Sequence, residues 1–128
     1  MGMPHTAAMT YASPDDLAQL RRFLDRQTAL AGSTADQSAR LKLAVNELVT
    51  NTLRHTCLGG VLRVWSDEQS ITCEVTDHGR LPRPAIGPQA APDDPDAGRG
   101  LHIVQELCDE VHIEAGPGRN TARLSVSR

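Results

Sequence analysis

Residues 43–55 of this 128-residue chain, LAVNELVTNTLRH, decide the fold, because they form the centre of one long amphipathic helix. Small and apolar side chains recur at steps of three and four residues, which places them along one helical face. The helix is predicted to run from Thr34 to Thr56 and to end at the glycine pair Gly59 and Gly60. The face expected to pack into the core consists of Leu41, Ala44, Val45, Leu48, Val49 and Thr52.

A polar stripe borders this apolar face. Glu47, Asn51 and His55 are spaced i, i+4 and i+8, so they stack along one side of the helix. A carboxylate and a carboxamide one turn apart can hold a hydrated Mg²⁺ ion and orient a nucleophile, since Mg²⁺ prefers oxygen ligands and often bridges to substrate phosphates. The same spacing also fits a helix face that is simply solvated.

The rest of the chain alternates between helical and strand patterns. Short turns between consecutive strands favour antiparallel pairing, and amphipathic helices must cover one face of the resulting sheet. The fold class is therefore predicted as α+β, a two-layer α/β sandwich with a mainly antiparallel sheet covered on one face by helices. The expected elements are a tail or short strand within residues 1–12, a helix from Ser13 to Leu30, strands at 61–65 and 71–76, a helix at 99–108, and strands at 111–115 and 122–126.

The composition excludes several classes of protein. A formal charge of −3, from 13 Lys+Arg against 16 Asp+Glu, offers no basic surface for nucleic acid. Three aromatic residues, Tyr11, Phe23 and Trp65, are too few for a base-stacking surface. No apolar run approaches the roughly 20 residues of a membrane span, and the first residues lack a signal-peptide pattern. Three cysteines, an odd number without a CxxC pair, favour a reducing cytoplasm over a disulfide framework. We expect all three to be small core residues.

One aspartate is placed at the end of a predicted strand. Asp77 shares a strand face with Ile71, Cys73 and Val75, and Gly79 follows two residues later. A carboxylate at that position could accept a hydrogen bond from an exocyclic amine, as adenine offers. Asp-x-Gly is also an ordinary turn after a strand, so the residues alone leave both interpretations open.

A long loop precedes the third helix. Residues 79–98 contain five of the eight prolines of the chain, and a loop of that length in a small domain is usually functional or disordered. It leads into Gly98-Arg99-Gly100-Leu101 at the helix start. Glycines let a backbone approach a ligand closely, and a helix N-terminus offers free N–H groups to phosphate. A flexible hinge and helix cap is the alternative.

The three motifs, taken in this order and spacing, resemble the N, G1 and G2 boxes of the GHKL ATPase superfamily, which includes gyrase, Hsp90, histidine kinases and MutL. Residues 43–55, with 98–104 and 107–109, are most similar to the anti-sigma regulatory-factor branch of serine kinases. Residues 62–65 and 73–75 also resemble the ATP-binding half of actinobacterial sigma regulators. The resemblance covers residues 10–126.

The resemblance implies the Bergerat ATP-binding fold and assigns roles to individual residues. Asn51 would be the Mg²⁺ ligand, Glu47 the general base, and Asp77 the acceptor for the adenine amine. Residues 80–97 would form a lid over ATP. The other residues implied to bind the nucleotide are Gly79 under the base, Gly98, Arg99, Gly100 and Leu101 near the phosphates, and Thr121, which would support Asp77 through a water molecule.

The chain departs from the family pattern at two places. Asn120 precedes Thr121 where the family usually has glycine, and the lid has no lysine. Only Arg80, Arg83 and Arg99 are available there as cations for phosphate. Binding of ATP is therefore better supported than phosphate transfer.

The resemblance also implies a function and a domain organisation. Residues 1–12 would be a tail or short strand, and residues 13–128 a single ATP-binding kinase and anti-sigma domain. Such a domain would be a cytoplasmic serine/threonine kinase, using ATP and Mg²⁺. Its expected partners are a sigma factor and an anti-anti-sigma protein of the STAS type, with a homodimer possible and neither nucleic acid nor membrane involved. The alternatives are a non-catalytic nucleotide-sensing module of the same fold and the catalytic domain of a histidine kinase.

Overall fold

The computed structural model describes residues 6–56, 59–77, 97–116 and 119–128, which form a helical layer packed on a five-stranded sheet. In chain order these elements are β1 (Thr6–Tyr11), α1 (Leu17–Leu30), α2 (Ala35–Thr56), β2 (Gly60–Ser66), β3 (Ser70–Asp77), α3 (Ala97–Leu107), β4 (Glu110–Gly116) and β5 (Arg119–Ser127). Within these ranges, no helix has the length and apolarity needed to cross a bilayer.

The sheet confirms the predicted two-layer α+β architecture. Its strand order is β1-β2-β3-β5-β4, and every neighbouring pair is antiparallel. Helix α2 packs against β3 and β5, α1 lies against β1 and β2, and α3 packs on α2 and β4. The long helix therefore crosses the middle of the sheet, and its C-terminal half is the element that can bring polar groups to the end of β3.

A reciprocal cap fixes the start of α2. The Gln37 amide N–H donates to Thr34 Oγ1 at 3.1 Å, and the Thr34 amide N–H donates to Gln37 Oε1 at 2.8 Å. This arrangement satisfies donors that a helix start otherwise leaves free. Gln37 Nε2 also donates to the carbonyl oxygen of Ser127 at 2.8 Å, so the cap ties α2 to β5.

The core between the layers is aliphatic, as the low aromatic content predicts. Leu41, Val49, Leu62 and Leu124 have no measurable exposure or almost none. Cys73 and Cys108 are free thiols buried in this core, and burial raises the pKa of both, that of Cys108 to about 11. The prediction that these two are core side chains is confirmed, while Cys57 lies outside the described residues.

The element bounds differ from the predicted ones mainly at their ends. A single 3₁₀ turn, Pro14–Asp16, precedes α1, because the Asp16 carboxylate accepts hydrogen bonds from the amides of Ala12 at 2.7 Å and Ser13 at 3.2 Å. The N-terminal segment contains a complete edge strand paired with β2. Helix α3 begins at Ala97, so it includes the last residue of the predicted lid, and residues 80–96 lie outside the described ranges.

The sheet face opposite the helices is polar but well covered. The Glu74 carboxylate lies between the guanidinium groups of Arg63, at 3.3 Å, and Arg123, at 2.9 Å. Arg123 in turn lies over the Trp65 ring, 5.7 Å from its centroid. The alternation along β3 predicts the direction of Glu74, but its burial comes from long side chains on the neighbouring strands.

Two glycines allow β1, β2 and β3 to come together at one end of the sheet. Gly59 has a φ of +73°, and a Cβ there would lie 2.1 Å from the Tyr11 carbonyl oxygen. A Cβ at Gly60 would lie 2.0 Å from the Thr76 carbonyl oxygen and 2.9 Å from Tyr11 Oη. Real Cβ atoms do not approach backbone oxygens so closely, so a side chain at either position would force the strands apart.

Gly60→Ala is expected to lower the free energy of unfolding by roughly 3 kcal/mol, because the added methyl meets the backbone of β3 and must displace it. Gly32→Ala is the control without a steric clash: Gly32 has a positive φ of +77°, which Gly60 does not, and a Cβ there would meet only the end of the Arg128 side chain, at 3.8 Å. Its cost is the left-handed strain alone, about 1 kcal/mol. Urea denaturation of the two variants measures both values, and equal losses would contradict the steric explanation.

Candidate functional site

One row of paired residues crosses four strands at the end of the sheet. Tyr11 of β1 pairs with Gly60 of β2, Gly60 with Asp77 of β3, and Asp77 with Asn120 of β5. Residues directly opposite each other in a sheet point to the same face. Because Asp77 shares the face of Val75, this row faces the helical layer, where α2 crosses β3.

Asp77 and Asn120 form a buried hydrogen bond within this row. The Asn120 side-chain amide Nδ2 donates to Asp77 Oδ1 at 3.1 Å. Asn120 is 8% exposed and Asp77 is 5% exposed, so their hydrogen bond is shielded from solvent. A hydrogen bond to a carboxylate is stronger than one between neutral groups, and it holds the carboxylate in a defined plane.

The Tyr11 side chain lies across Gly60, where the missing side chain leaves room for it. Its ring is 3% exposed and its hydroxyl lies beside Thr52 of α2. Burial raises the pKa of Tyr11 above its ordinary range, the Thr52 side chain acts in the opposite direction, and the Asp77 charge adds a smaller increase. The phenol is therefore neutral at physiological pH, and it marks the point where α2 and the end of β3 meet.

Helix α2 contributes buried polar groups to the layer that packs on β3. Asn51 and Thr52 are buried, at 3% and 5% exposure, and Glu47 is partly buried one turn earlier. The four-residue spacing keeps Glu47 and Asn51 on the same helical face. Through the Tyr11 phenol, which lies near both groups, the structure brings Thr52 of α2 and the carboxylate that ends β3 to the same region of the fold.

Comparison with known proteins shows the family of this chain. Residues 10–126 match the family model described as histidine kinase-like ATPase domain. The chain belongs to this family. The match spans both the long polar-striped helix and the strand that ends in Asp77, and it confirms the resemblance to the GHKL ATPases.

Two relatives of this ATPase domain share sequence over most of their length. The chain is 28% identical to the serine-protein kinase RsbW of Staphylococcus aureus over 122 residues, which is 84% of this chain and 77% of the relative. It is 30% identical to the anti-sigma F factor of Caldanaerobacter subterraneus subsp. tengcongensis over 99 residues, 69% of this chain and 68% of the relative.

A solved structure shows the same fold. The ATPase domain superposes with a TM-score of 0.72 on the structure of the RsbU and RsbW domains of Rv1364c from Mycobacterium tuberculosis, at 23% sequence identity. The superposition covers 97% of this chain but 32% of the solved one, so this chain corresponds to about a third of that protein. The predicted Bergerat fold is confirmed by this likeness.

The structure locates Thr121 away from Asp77. Thr121 faces the side of the sheet away from the helices, with its Oγ1 3.5 Å from Thr76 Oγ1, while its neighbour Asn120 lies beside Asp77. The reason is the two-residue period of a strand, in which a shift of one residue changes the face. The alternation of Ala122, Leu124 and Val126, extended by two residues, would have indicated Asn120.

The other predicted site residues are described only in part. Gly98, Arg99, Gly100 and Leu101 form the first turns of α3, the helix that packs on α2. Gly79 and most of the predicted lid lie outside the described residues. Tyr11 and Thr52 were not predicted as site residues, because their proximity to Asp77 depends on contacts between distant parts of the chain.

The donor set fits a Mg²⁺ ion shared with phosphate. The described residues contain no group of three or more His, Cys, Asp or Glu side chains that could form a protein cage for a metal. The carboxamide oxygen of Asn51 and the Glu47 carboxylate are the hard oxygen donors on this face of α2. Mg²⁺ commonly takes one or two such donors and completes its shell with substrate phosphates and water.

Proposed function

We propose that this ATPase domain is an anti-sigma factor and serine/threonine protein kinase, which binds ATP with Mg²⁺ and transfers its γ-phosphoryl group to a protein hydroxyl. The observation that carries the proposal is the buried Asp77 carboxylate, which accepts a hydrogen bond from Asn120 at 3.1 Å and lies, like Thr52 of α2, near the Tyr11 phenol. The printed names of the two relatives, a serine-protein kinase and an anti-sigma F factor, support the same function.

Base recognition is assigned to Asp77. The exocyclic amine of adenine is a hydrogen-bond donor, and a carboxylate buried to 5% exposure can accept that bond without competition from bulk water. A guanine base presents a carbonyl oxygen at the same position, which a carboxylate repels. Asp77 therefore selects adenine nucleotides, and Gly79, two residues along, would pass under the base.

Phosphate binding is assigned to α2 and to the start of α3. Asn51 would contribute its side-chain oxygen to Mg²⁺, which when bound neutralises charge on the phosphates and orients the γ-phosphoryl group. Gly98, Arg99, Gly100 and Leu101 open α3, where backbone N–H groups without helical partners can donate to phosphate oxygens. Residues 80–97 would act as the lid that covers the nucleotide.

Proton removal is assigned to Glu47. The hydroxyl oxygen of a serine or threonine in the protein substrate attacks the γ-phosphorus, and the bond from that phosphorus to the bridging oxygen of ADP breaks. The hydroxyl proton passes to the Glu47 carboxylate, and ADP leaves with the bridging oxygen. Glu47 lies one helical turn before Asn51, so a base and the proposed metal ligand lie on the same face of α2.

The proposed partners follow from the family branch. The domain would bind a sigma factor, phosphorylate an anti-anti-sigma protein of the STAS type, and act in the cytoplasm as a homodimer. No role for nucleic acid or membrane is proposed. Under this scheme Thr121 would contribute to the nucleotide site only indirectly, through β5.

Asp77→Asn is expected to weaken ATP binding by roughly 10- to 100-fold, because an amide replaces the charged acceptor at nearly the same size and a hydrogen bond to a charged group contributes about 1.5–3 kcal/mol. Binding of inorganic tripolyphosphate, which has no base, should stay unchanged. Isothermal titration calorimetry with both ligands measures the difference. An equal loss for the two ligands would refute the role of Asp77 in base recognition.

Asn51→Ala should weaken Mg-ATP much more than metal-free ATP, since the variant removes a metal ligand and leaves the base contact intact. Calorimetry in Mg²⁺ and in EDTA separates the two effects. Asn46→Ala is the control, because Asn46 lies on the same helix outside the face of Glu47 and Asn51. If Asn51→Ala loses the same factor with and without Mg²⁺, the assignment as metal ligand is wrong.

Glu47→Gln is expected to keep ATP affinity within a few-fold and to slow phosphate transfer by roughly 10²–10⁴-fold, the usual contribution of a general base. The assay incubates the native complex of the domain and its co-purified partner with labelled ATP and follows phosphoserine formation. Glu68→Gln, a change in the exposed turn between β2 and β3, is the control. ATP binding without transfer by the wild-type domain would favour the nucleotide-sensing module over the kinase.

A further inference from the structure

Asn120 occupies a defined place in the fold that the functions assigned so far do not use. It lies on β5, which is paired on both sides, with β3 through Asp77 and with β4 through Ala115. Its side chain is 8% exposed. A residue in an interior strand with both neighbours paired has little freedom to move, so the direction of its side-chain amide is set by the sheet.

The contact of Asn120 with Asp77 is direct and polar. Nδ2 donates to Oδ1 at 3.1 Å, and the partners are 43 residues apart in sequence. An amide donor gives the carboxylate a directional hydrogen bond without adding a charge of its own. It also fixes the rotation of the carboxylate, which on a side chain ending in an sp² group is otherwise broadly variable.

We propose that Asn120 is a positioning residue for base recognition, whose amide sets the orientation in which the Asp77 carboxylate accepts the exocyclic amine of adenine. The inference rests on the proposed binding of ATP at Asp77 and extends it to a specificity-determining residue on a different strand. Asn120 does not contact the nucleotide in this scheme; it acts through Asp77.

The neighbouring residue Thr121 cannot replace this contact. Its hydroxyl lies on the opposite face of the sheet, 3.5 Å from the Thr76 hydroxyl. A donor for Asp77 on β5 must come from the position directly opposite in the register, and that position is Asn120. The two residues therefore lie on opposite faces of the sheet, and Asn120 is the one whose amide contacts Asp77.

The test compares ATP with purine riboside 5′-triphosphate, which has hydrogen in place of the amino group and is otherwise identical. The wild-type chain should prefer ATP. Asn120→Ala should lower ATP affinity on the order of tenfold, the effect of losing a hydrogen bond to a charged group, and leave the affinity for the analogue within about twofold. Asn120→Leu fills the same space without a donor and should lose the preference equally, which keeps the test valid if the alanine variant folds poorly.

A double variant tests whether Asn120 acts through Asp77. Asp77→Asn combined with Asn120→Ala should bind ATP no more weakly than Asp77→Asn alone, because both changes remove the same interaction. Ser125→Ala is the matched control, since it removes another polar contact between β3 and β5, to Thr72 at 2.9 Å, on the other face of the sheet. The control should keep the full preference for ATP.

Three results would overturn the inference. Loss of both nucleotides by the same factor in the Asn120 variants would show a purely structural role. Additive losses in the double variant would show that Asn120 does not act through Asp77. A preference for ATP that Thr121→Ala abolishes and Asn120→Ala preserves would assign the support of Asp77 to Thr121. If instead the wild-type chain does not prefer ATP, the proposed function fails together with the inference.

Discussion

The exclusion of any side chain at Gly60 is the constraint on which the candidate site depends. A Cβ there would lie 2.0 Å from the carbonyl oxygen of Thr76, the residue before Asp77. Because Gly60 has no side chain, β2 can approach β3 at this end of the sheet, and the Tyr11 ring can lie over Gly60. The phenol then fills space next to Thr52, so one missing side chain allows a helix, an edge strand and a central strand to meet around a single carboxylate.

Much of the fold could be predicted because its signals are local. The predicted start of α2 at Thr34 is its capping residue, and the predicted end at Thr56 is the observed one. The alternation along β3 correctly places Asp77 on the face of Ile71, Cys73 and Val75. The 3₁₀ turn before α1 was not predictable in this way, because it depends on the rotamer in which Asp16 accepts two upstream amides.

The candidate site likewise contains some residues that local sequence spacing predicts and others that only contacts between distant parts of the chain bring together. Glu47 and Asn51 are four residues apart, so sequence alone places them on one face of α2. The partner of Asp77 is 43 residues away, and identifying it needs the register of β3 against β5. The resemblance to a family pointed to Thr121, which pairs with Thr76, so its side chain lies on the other face of the sheet from the Asp77 carboxylate. Tyr11 could not be recognised without knowing that β1 pairs with β2.

The strand order of the sheet has a consequence for when the site can exist. β5 is the last strand in sequence and lies between β3 and β4, so the edge strand β4 has no partner in the sheet until β5 has been synthesised. It supplies Asn120 to Asp77 and, through Ser127, an anchor for the cap of α2 across 90 residues of sequence. Contacts of such sequence separation carry an entropic cost, because the chain must close a long loop to form them. A chain that lacks β5 therefore has neither a partner for β4 nor the Asn120 contact of the candidate site, so the proposed ligand binding depends on completion of the whole domain.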